Sequence, residues 1–426
     1  MSDSATAHLL RRLKEVVHGL DREAPPLDDP NTRFADALDS MAMVDFLAVL
    51  AEDYGVTTGA IEDCVGRRFG TVAELAASLH AAGWTLGRSC QTASPAPDTA
   101  ASGMVPVPTC WLAATAARLP HTIQSADSIN EALERPAGWL ERHAGIEQRR
   151  VWADEDPLAA AAEAGRACLE QAGLKAEDVD GLLVTSEAPP VLMGLAAVLH
   201  HRLRLGANAV ALDIGGACTG FLAALWTAQA LLPQKGRILV LAVEAPNRYL
   251  RLQPGPAGEN AALFGDAAAA AVVSAEASVR EAVPLSPVVL GADGSGAGLL
   301  QVELSTCGVE FLMRRIELAS RAIEAMALSI RNLVGRHGLD LADLAGVVAH
   351  GGNGRLPALL ARKLDIPPDR VWSETSKTGN LGSASLPVAW ALRQPRPQGP
   401  VIWAAVGAGL MWGAAMVGEL CKGEWN

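Results

Sequence analysis

Three glycine-rich motifs each place one reactive side chain beside a strand-like or helix-like run. Cys218 lies in GACTG, His350 follows the apolar run GVVA, and Asn380 lies in KTGNLG. The first motif has the spacing of a nucleophile elbow, in which glycines permit a sharp turn from a strand into a helix. The N-terminus of such a helix favours a thiolate. The sequence therefore predicts a cysteine nucleophile at Cys218 with a lowered pKa.

Each of these motifs also has a plain structural explanation. Cys218 could be a buried cysteine at a glycine turn, His350 a hydrogen-bonded core histidine, and Asn380 a helix cap. His350, however, ends a predicted strand, and ligands of parallel sheets bind beyond the carboxyl ends of the strands. The catalytic interpretation depends on the three motifs together.

A fourth candidate, Ser40, stands at the head of a predicted helix near the N-terminus. It follows Asp39, and Met41, Val44 and Leu47 recur behind it with helical spacing. A serine before a periodic apolar run is typical of a helix N-cap, because its hydroxyl satisfies exposed backbone amides. By spacing alone, Ser40 is therefore predicted to be an N-cap.

Strand-like and helix-like segments alternate from about residue 155 onward. Predicted strands cover 181–185, 209–213, 237–243, 346–350 and 400–406, and predicted helices cover 155–172, 190–203, 219–232, 317–337, 357–364 and 383–392. This alternation predicts an α/β fold with parallel sheets and helices on both faces. We expect two similar halves, 107–280 and 281–426, forming a duplicated αβαβα layered core.

The uncharged run from Val401 to Gly418 has the length of a membrane span. It is rich in glycine and alanine, and it follows Arg393 and two prolines. These features favour two buried strands joined by a glycine turn. No membrane segment is therefore expected.

The first 87 residues are predicted to form a separate all-α bundle of the four-helix type. The segment TVAE at 71–74 has the form of a capping box and opens a last helix through His80. Residues 88–106 are dominated by Ser, Ala, Thr, Pro and Gly. That composition predicts a flexible linker between the bundle and the α/β part.

Composition excludes several classes of function. The net charge is −12 and no basic run is present, which argues against nucleic-acid binding. The seven cysteines include no C-x-x-C pair, so we expect no metal site and no redox pair. The first fifteen residues carry charges where a secretory signal needs an apolar stretch. A cytoplasmic location is the expectation that follows.

The helical unit resembles an acyl carrier protein over about residues 8–85. That family places a serine in Asp-Ser-Leu at the head of its second helix, and here the motif is Asp39-Ser40-Met41. The resemblance implies 4′-phosphopantetheine attached to Ser40 by a phosphopantetheinyl transferase. Acidic side chains on that helix, including Asp53, are similar to those with which carriers dock basic partners.

The part from about Val107 onward resembles ketosynthase III of the thiolase superfamily. The 30-residue spacing of His350 and Asn380 matches that family, as do FGD at 264–266 and GAGLMWG at 407–413. The resemblance implies that Cys218 is acylated and that the Cys218 and Ala408 amides form an oxyanion hole. His350 and Asn380 would hold the second thioester's carbonyl oxygen during a decarboxylative Claisen condensation.

The resemblance also implies a binding region for coenzyme A or pantetheine and a docking face for a carrier protein. Trp139 and Arg248 match the residues that sandwich adenine, although His143 replaces a frequent arginine four residues after the tryptophan. The other implied positions are Asn353 and Arg355 near the pantetheine and phosphates, and Arg362 and Lys363 for carrier docking. A solvated helix face explains the last two equally well. Acyl-ACP or acyl-CoA substrates and a homodimer through the thiolase-like part are the implied partners.

Glu187, in TSEAP, is a further candidate. Hydroxymethylglutaryl synthases and OleA-type thiolases have a catalytic glutamate at a similar place, which acts as the base of a non-decarboxylating condensation. The alternative is a strand-end carboxylate on the surface. Asn380 favours the decarboxylating route.

Four functions compete for this sequence. The leading one is a carrier-fused ketosynthase III that joins thioester-bound acyl units in fatty-acid or polyketide biosynthesis. The alternative keeps the fold but transfers the Cys218-bound acyl group to an alcohol or amine. A cysteine α/β-hydrolase is disfavoured by Asn380 following His350. A non-catalytic carrier-docking protein is disfavoured by the intact set of Cys, His and Asn.

Overall fold

This computed structural model describes residues 2–20, 29–34, 38, 40–54, 56, 61, 70–84, 110–187, 194–277, 282–305 and 308–418. The predicted linker 88–106 and the predicted boundary at 280 lie outside these residues. The chain divides into two compact units, Met1–Met104 with Arg314–Arg321, and Val105–Met313 with Ala322–Asn426.

The first unit is helical in its described residues. Its helices are α1 (Ser2–Leu20), α2 (Ser40–Tyr54) and α3 (Val72–Ala81). Leu13 of α1, Phe46 of α2 and Leu79 of α3 meet in one apolar core. The predicted capping box at the start of α3 is confirmed, since the Thr71 hydroxyl accepts from the Glu74 amide and the Glu74 carboxylate accepts from the Thr71 amide.

Asp53, near the end of α2, ties α1 to α2. Its carboxylate accepts from Arg12 Nε at 2.7 Å and lies 2.8 Å from His8 Nε2. The Asp53 side chain is only 14% exposed. This acid is therefore engaged inside its own unit, so it is a weaker candidate for docking a partner than the sequence suggested.

The second unit alternates strands and helices. Its strands are β1 (Cys110–Arg118), β2 (Thr122–Ser125), β3 (Gln148–Val151), β4 (Gly181–Thr185), β5 (Val210–Ile214), β6 (Arg237–Glu244), β7 (Ala267–Ser274), β8 (Val283–Leu285), β9 (Val289–Ala292), β10 (Leu300–Ser305), β11 (Gly308–Met313), β12 (Gly346–Ala349), β13 (Val371–Trp372), β14 (Val401–Gly407) and β15 (Met411–Val417). The helices that follow β1 in the chain are α4 (Ala126–Ala132), α5 (Trp139–Ala144), α6 (Pro157–Ala172), α7 (Leu195–Leu203), α8 (Gly220–Leu231), α9 (Pro256–Ala261), α10 (Arg315–Arg336), α11 (Leu356–Leu364), α12 (Thr375–Thr378) and α13 (Ser385–Leu392).

Eleven of these strands form one mixed sheet. Its order is β13-β12-β14-β15-β8-β1-β7-β6-β4-β5, and β9 pairs with β15. Pairing is parallel within β5-β4-β6 and within β13-β12-β14, and antiparallel between β6, β7, β1 and β8 and between β14 and β15. The expectation of parallel sheets is therefore confirmed only for these two groups of strands. The parallel strands are those joined by helical crossovers, whereas antiparallel neighbours need no such crossover.

Strands β4, β6 and β7 of the first half are buried on both faces. In β6, Ile238 and Val240 face a core shared with α8 and α13, whereas Leu239 and Leu241 face a second core shared with α6 and α7. The first core also contains Trp403 and other residues of the second half. Because both faces need apolar side chains, such strands appear in the sequence as continuous hydrophobic runs.

The run 401–418 forms the predicted pair of buried strands. β14 and β15 pair antiparallel in continuous register from Val401 with Val417 to Gly407 with Met411. Among the described residues, no helix is long and apolar enough to cross a membrane.

Trp403 offers a test of the shared core. It is fully buried, its ring contacts those of Phe221 and Trp390, and its Nε1 lacks a hydrogen-bond partner in the described structure. We expect Trp403→Ala to lower the free energy of unfolding by about 3–5 kcal/mol, because it leaves a cavity. Trp403→Phe should cost much less, because it keeps a ring and removes the unpartnered N–H. Denaturant unfolding followed by circular dichroism compares the two, and equal losses would contradict this packing.

Candidate active site

Cys218 lies in a tight turn between β5 and α8. Gly216 has φ +137° and Ala217 has φ +46°, both in the region that favours glycine. The Thr219 amide and hydroxyl donate to the Gly216 carbonyl at 2.9 and 2.6 Å and close the turn. Cys218 therefore sits on a strained turn two residues before α8 begins, and the residue is 8% exposed.

The end of β14 approaches the backbone of this turn closely. A Cβ on Gly407 would lie 3.1 Å from the Cys218 nitrogen and 3.2 Å from the Thr219 nitrogen. These spacings are tighter than side chains normally accept, so the approach depends on glycine at 407. Ala408 follows directly, which places the backbone of both predicted oxyanion-hole residues in one neighbourhood.

His350 follows β12, which pairs with β14. The His350 amide donates to the Ala404 carbonyl at 2.9 Å, three residues before Gly407. The imidazole is buried, and among the described residues its Nδ1 has no hydrogen-bond partner. Burial lowers the pKa of His350 to about 4, so the ring is neutral at pH 7.

Asn380 is held by backbone bonds on both sides. Its amide donates to the Leu263 carbonyl at 2.7 Å, and its carbonyl accepts from Gly265 at 2.9 Å. Its side-chain Oδ1 accepts from the Gly382 amide at 2.9 Å. The amide NH2 is therefore the part of the side chain that is left to donate to a substrate.

Two carboxyl groups lie near Cys218, one on the buried Glu244 and one on the half-buried Glu187. The Glu187 carboxyl lies close enough to the Cys218 thiol to raise its pKa. Glu244, the last residue of β6, accepts from the Glu187 amide at 3.0 Å and from the amide and hydroxyl of Ser383. A Cβ on Gly382 would lie 2.7 Å from Glu187 Oε1 and 3.2 Å from Glu244 Cδ, so only glycine leaves room for both.

These surroundings change the charge of the nucleophile. Burial raises the pKa of the Cys218 thiol, and Glu187 and Glu244 raise it further. Burial likewise raises the pKa of both glutamates, and each carboxyl disfavours a charge on the other. The shift is therefore opposite to the lowered Cys218 pKa predicted from the sequence, because burial, the largest cause, and the two carboxyl groups all disfavour the thiolate. The resting cysteine is a thiol.

The region predicted to bind pantetheine is assembled around α5. The Gly354 amide donates to the Ala144 carbonyl at 2.8 Å, and an Arg355 Nη donates to the Arg142 carbonyl at 2.9 Å. Asn353 is buried and its Oδ1 accepts from the Arg355 amide at 2.8 Å. The fold thus brings the loop of Asn353 and Arg355 against the helix that carries Trp139.

Trp139 is stacked on another side chain. Its ring centroid lies 4.9 Å from that of His143 at an interplanar angle of 23°, and His143 Nδ1 lies 2.8 Å from the Trp139 carbonyl oxygen. Arg248 donates to the Glu155 carbonyl. Within the described part of the chain, no hydrogen bond or ring contact joins Arg248 to Trp139, and two groups that sandwich an adenine would make none, so this pair stays a prediction.

The remaining predicted positions lie on helices. Arg362 is exposed and Lys363 half-buried on α11. Ser40 opens α2, and its side chain lies outside the described residues. No group of His, Cys, Asp and Glu in the described residues could hold a metal ion.

Comparison with known proteins identifies the family. Residues 212–294 match the model of 3-oxoacyl-[acyl-carrier-protein (ACP)] synthase III, and residues 334–418 match the model of its C-terminal part. The beta-ketoacyl-[acyl-carrier-protein] synthase III of Granulibacter bethesdensis is 30% identical over 319 residues, which are 72% of this chain and 98% of the relative. The chain belongs to the beta-ketoacyl-[acyl-carrier-protein] synthase III family.

Other family members agree with this assignment. The synthase III of Erythrobacter litoralis is 32% identical over 312 residues, 70% of this chain and 96% of the relative. The crystal structure of the Pseudomonas aeruginosa synthase III superposes with a TM-score of 0.66 at 29% identity, covering 74% of this chain and 100% of that one. The crystal structure of a priming beta-ketosynthase of the R1128 polyketide pathway gives a TM-score of 0.66 at 26% identity, covering 74% of this chain and 97% of that one. The second unit thus has the thiolase-like α/β fold with a mixed sheet.

Sequence reasoning missed Glu244, Ser383 and the close approach at Gly407. A signal for Glu244 does exist in the sequence. It ends the apolar run that forms β6, and β6 pairs with β4, the strand that Glu187 follows. A carboxylate at such a position is costly unless it has partners. Gly407 opens the landmark GAGLMWG, but the motif alone does not show its close approach to Cys218, because that contact joins distant parts of the chain.

The raised thiol pKa predicts how Cys218 reacts with iodoacetamide. Only the thiolate is alkylated, so the rate should rise through neutral pH and keep rising past the usual thiol pKa of about 8.5. Quenched labelling followed by peptide mass spectrometry measures the rate, with the buried Cys110 as an internal reference. A rate that levels off near or below neutral pH would contradict the raised pKa and support the thiolate predicted from the sequence.

Proposed function

We propose that this chain is a condensing enzyme that joins two thioester-bound acyl units with loss of CO2. The observation that carries the proposal is the close approach of Gly407 to the Cys218 amide, with His350 anchored to β14 and Asn380 to the segment that precedes β7. Membership of the synthase III family supports it, since the named relatives are beta-ketoacyl synthases.

In the first half-reaction Cys218 takes an acyl group from a donor thioester. The sulfur attacks the thioester carbonyl, and the negative charge that develops on oxygen needs fixed donors. The amides of Cys218 and Ala408 are the candidates, because Gly407 holds the two backbones together. One thioester replaces another, so little bond energy changes.

In the second half-reaction a malonyl thioester loses CO2 and the resulting enolate attacks the acyl-enzyme. The electron pair from the breaking C–C bond moves to the thioester carbonyl oxygen, which must be stabilised. The neutral imidazole of His350 and the NH2 group of Asn380 supply two N–H donors of suitable strength. Neither group needs to change its charge before it can act.

We further propose that residues 1–87 are an acyl carrier domain with 4′-phosphopantetheine on Ser40, added by a phosphopantetheinyl transferase. Support comes from the shared core of α1, α2 and α3 and from the position of Ser40 at the first residue of α2. Residues 88–106 would then be the linker along which the carrier is tethered.

Acyl-ACP or acyl-CoA is proposed as the donor, and the exposed end of α11 with Arg362 and Lys363 as a carrier-docking face. We also propose a homodimer through β5. That strand lies at one edge of the sheet, and its Val210 and Leu212 are exposed, as is Trp226 on the adjoining α8. An open strand edge with apolar side chains is suited to pairing with a second copy.

Replacing the hydrogen-bond donors His350 and Asn380 allows the two half-reactions to be tested separately. We expect His350→Ala and Asn380→Ala each to slow decarboxylation of a malonyl thioester by about 10²–10³-fold, the usual cost of losing one oxyanion donor. Acylation of Cys218 should change far less, because it depends on backbone amides. Release of labelled CO2 reports the first quantity and intact-protein mass the second, with Cys218→Ala as the unreactive control.

The alternative function predicts a different outcome in the same assay. An enzyme that makes esters or amides would be acylated at Cys218, would leave malonyl thioesters intact and would pass its acyl group to an added alcohol or amine. That pattern in the wild-type protein would overturn the condensation proposal.

The carrier proposal has its own test. Coexpression with a broad-specificity phosphopantetheinyl transferase should add the mass of one phosphopantetheine group to the wild-type chain. Ser40→Ala should remain at its unmodified mass, whereas Ser78→Ala, a serine of α3 in the same unit, should still be modified. A wild-type chain that never gains this mass would contradict the assignment.

A further inference from the structure

Glu187, a half-buried residue two positions after β4, lies near the nucleophile. The turn that carries Cys218 packs against the segment Gly382–Ala384, and a Cβ on Gly382 would lie 2.7 Å from Glu187 Oε1. That oxygen is buried and has no hydrogen-bond partner in the described structure. An unsatisfied buried carboxyl oxygen costs free energy, so its presence calls for an explanation. Its position near the reacting sulfur indicates what that explanation is.

The backbone and surroundings of Glu187 are fixed from three directions. The Glu244 carboxylate accepts a hydrogen bond from the Glu187 amide at 3.0 Å, and the Tyr249 hydroxyl donates to the Glu187 carbonyl at 2.9 Å. Gly382 leaves space for the Glu187 carboxyl. Glu244 itself is held by Ser383. The ionisable groups around the Glu187 carboxyl are thus Cys218, Glu244 and Tyr249, and no cation pairs with it among the described residues.

The chemistry of the first half-reaction needs a proton acceptor at this place. A thiol must lose its proton when its sulfur bonds to the acyl carbon, and the departing thiolate must gain one. His350 is a weak base at pH 7, since burial holds its pKa at about 4. Burial raises the pKa of Glu187 toward neutrality, which strengthens it as a base.

We propose that Glu187 is a catalytic residue that takes the Cys218 proton during acylation and returns it to the departing thiol. As the bond from Sγ to the acyl carbon forms, the proton moves to the Glu187 carboxylate. As the donor C–S bond breaks, the same proton moves to the leaving sulfur, so the carboxylate is regenerated. This inference rests on the proposed function, and it differs from the condensation base that the resemblance suggests for Glu187.

A purely electrostatic neighbour and a base make opposite predictions for Glu187→Gln. Removing the carboxylate lowers the pKa of Cys218, so alkylation by iodoacetamide at neutral pH should become faster. Removing a base should slow acylation by about 10²–10⁴-fold. We therefore expect one rate to rise and the other to fall in the same variant.

The acylation probe is a set of acetyl, hexanoyl and decanoyl thioesters of N-acetylcysteamine, followed by intact-protein mass. For the wild-type enzyme, the rate should rise with pH through a carboxyl pKa above its ordinary value and then level off. For Glu187→Gln it should continue to rise with the thiolate fraction. Glu163→Gln, an exposed glutamate of α6, is the matched control and should behave as wild type.

A second variant keeps the proposal testable if Glu187→Gln is unstable. Formate or acetate added to Glu187→Ala should restore part of the acylation rate, because a small carboxylate can enter the vacated space. If formate or acetate speeds acylation of Glu187→Ala but does not speed its alkylation by iodoacetamide, the result supports the role of Glu187 as a base.

Two results are decisive against parts of this account. A wild-type enzyme that is acylated while Glu187→Gln keeps its acylation rate would overturn the role of Glu187 alone, as would acylation and alkylation falling together. A wild-type enzyme that none of these thioesters acylates, although iodoacetamide alkylates Cys218, would overturn the proposed function instead.

Discussion

The approach of Gly407 to the Cys218 amide is the contact on which the candidate site depends. It joins a turn of the first half to a strand end of the second half at a separation tighter than most side chains accept. The partners of that strand then determine where His350 lies, because β12 pairs with β14. A methyl group at 407 would require one of these backbones to shift by a few tenths of an ångström, which would disturb the proposed oxyanion hole.

Burial on both faces of the central strands makes this geometry rigid. Alternate residues of β6 and β7 face two different cores, so neither strand can shift by one residue without exchanging its two sets of side chains. The same burial removes water from Cys218, His350 and Glu187. The charges of these groups are therefore governed by their neighbours, not by solvent, which is why the cysteine remains protonated and the histidine neutral.

The sequence predicted the elements that carry strong periodicity or apolar runs. Strand 181–185 was predicted to the residue, and the helix 219–232 and the strand pair in 401–418 were close. It did not reveal β1 and β7 at the centre of the sheet, because CWLAATAAR and AAAAAVVS are rich in alanine and show no strand signal. The reactive residues were found from glycine-flanked motifs, whereas the pKa of Cys218 depends on Glu244, which only the fold brings near.

The missing partner of His350 Nδ1 affects which of its two nitrogens carries the proton. In most catalytic histidines a carboxylate or carbonyl fixes one tautomer through the far nitrogen. Here no described group does so. The two tautomers are therefore closer in free energy, and the nitrogen that faces substrate can donate to an enolate oxygen or accept a proton from a hydroxyl. In the proposed condensation, the proton can therefore sit on the nitrogen that faces the enolate oxygen without breaking a hydrogen bond on the other side of the ring.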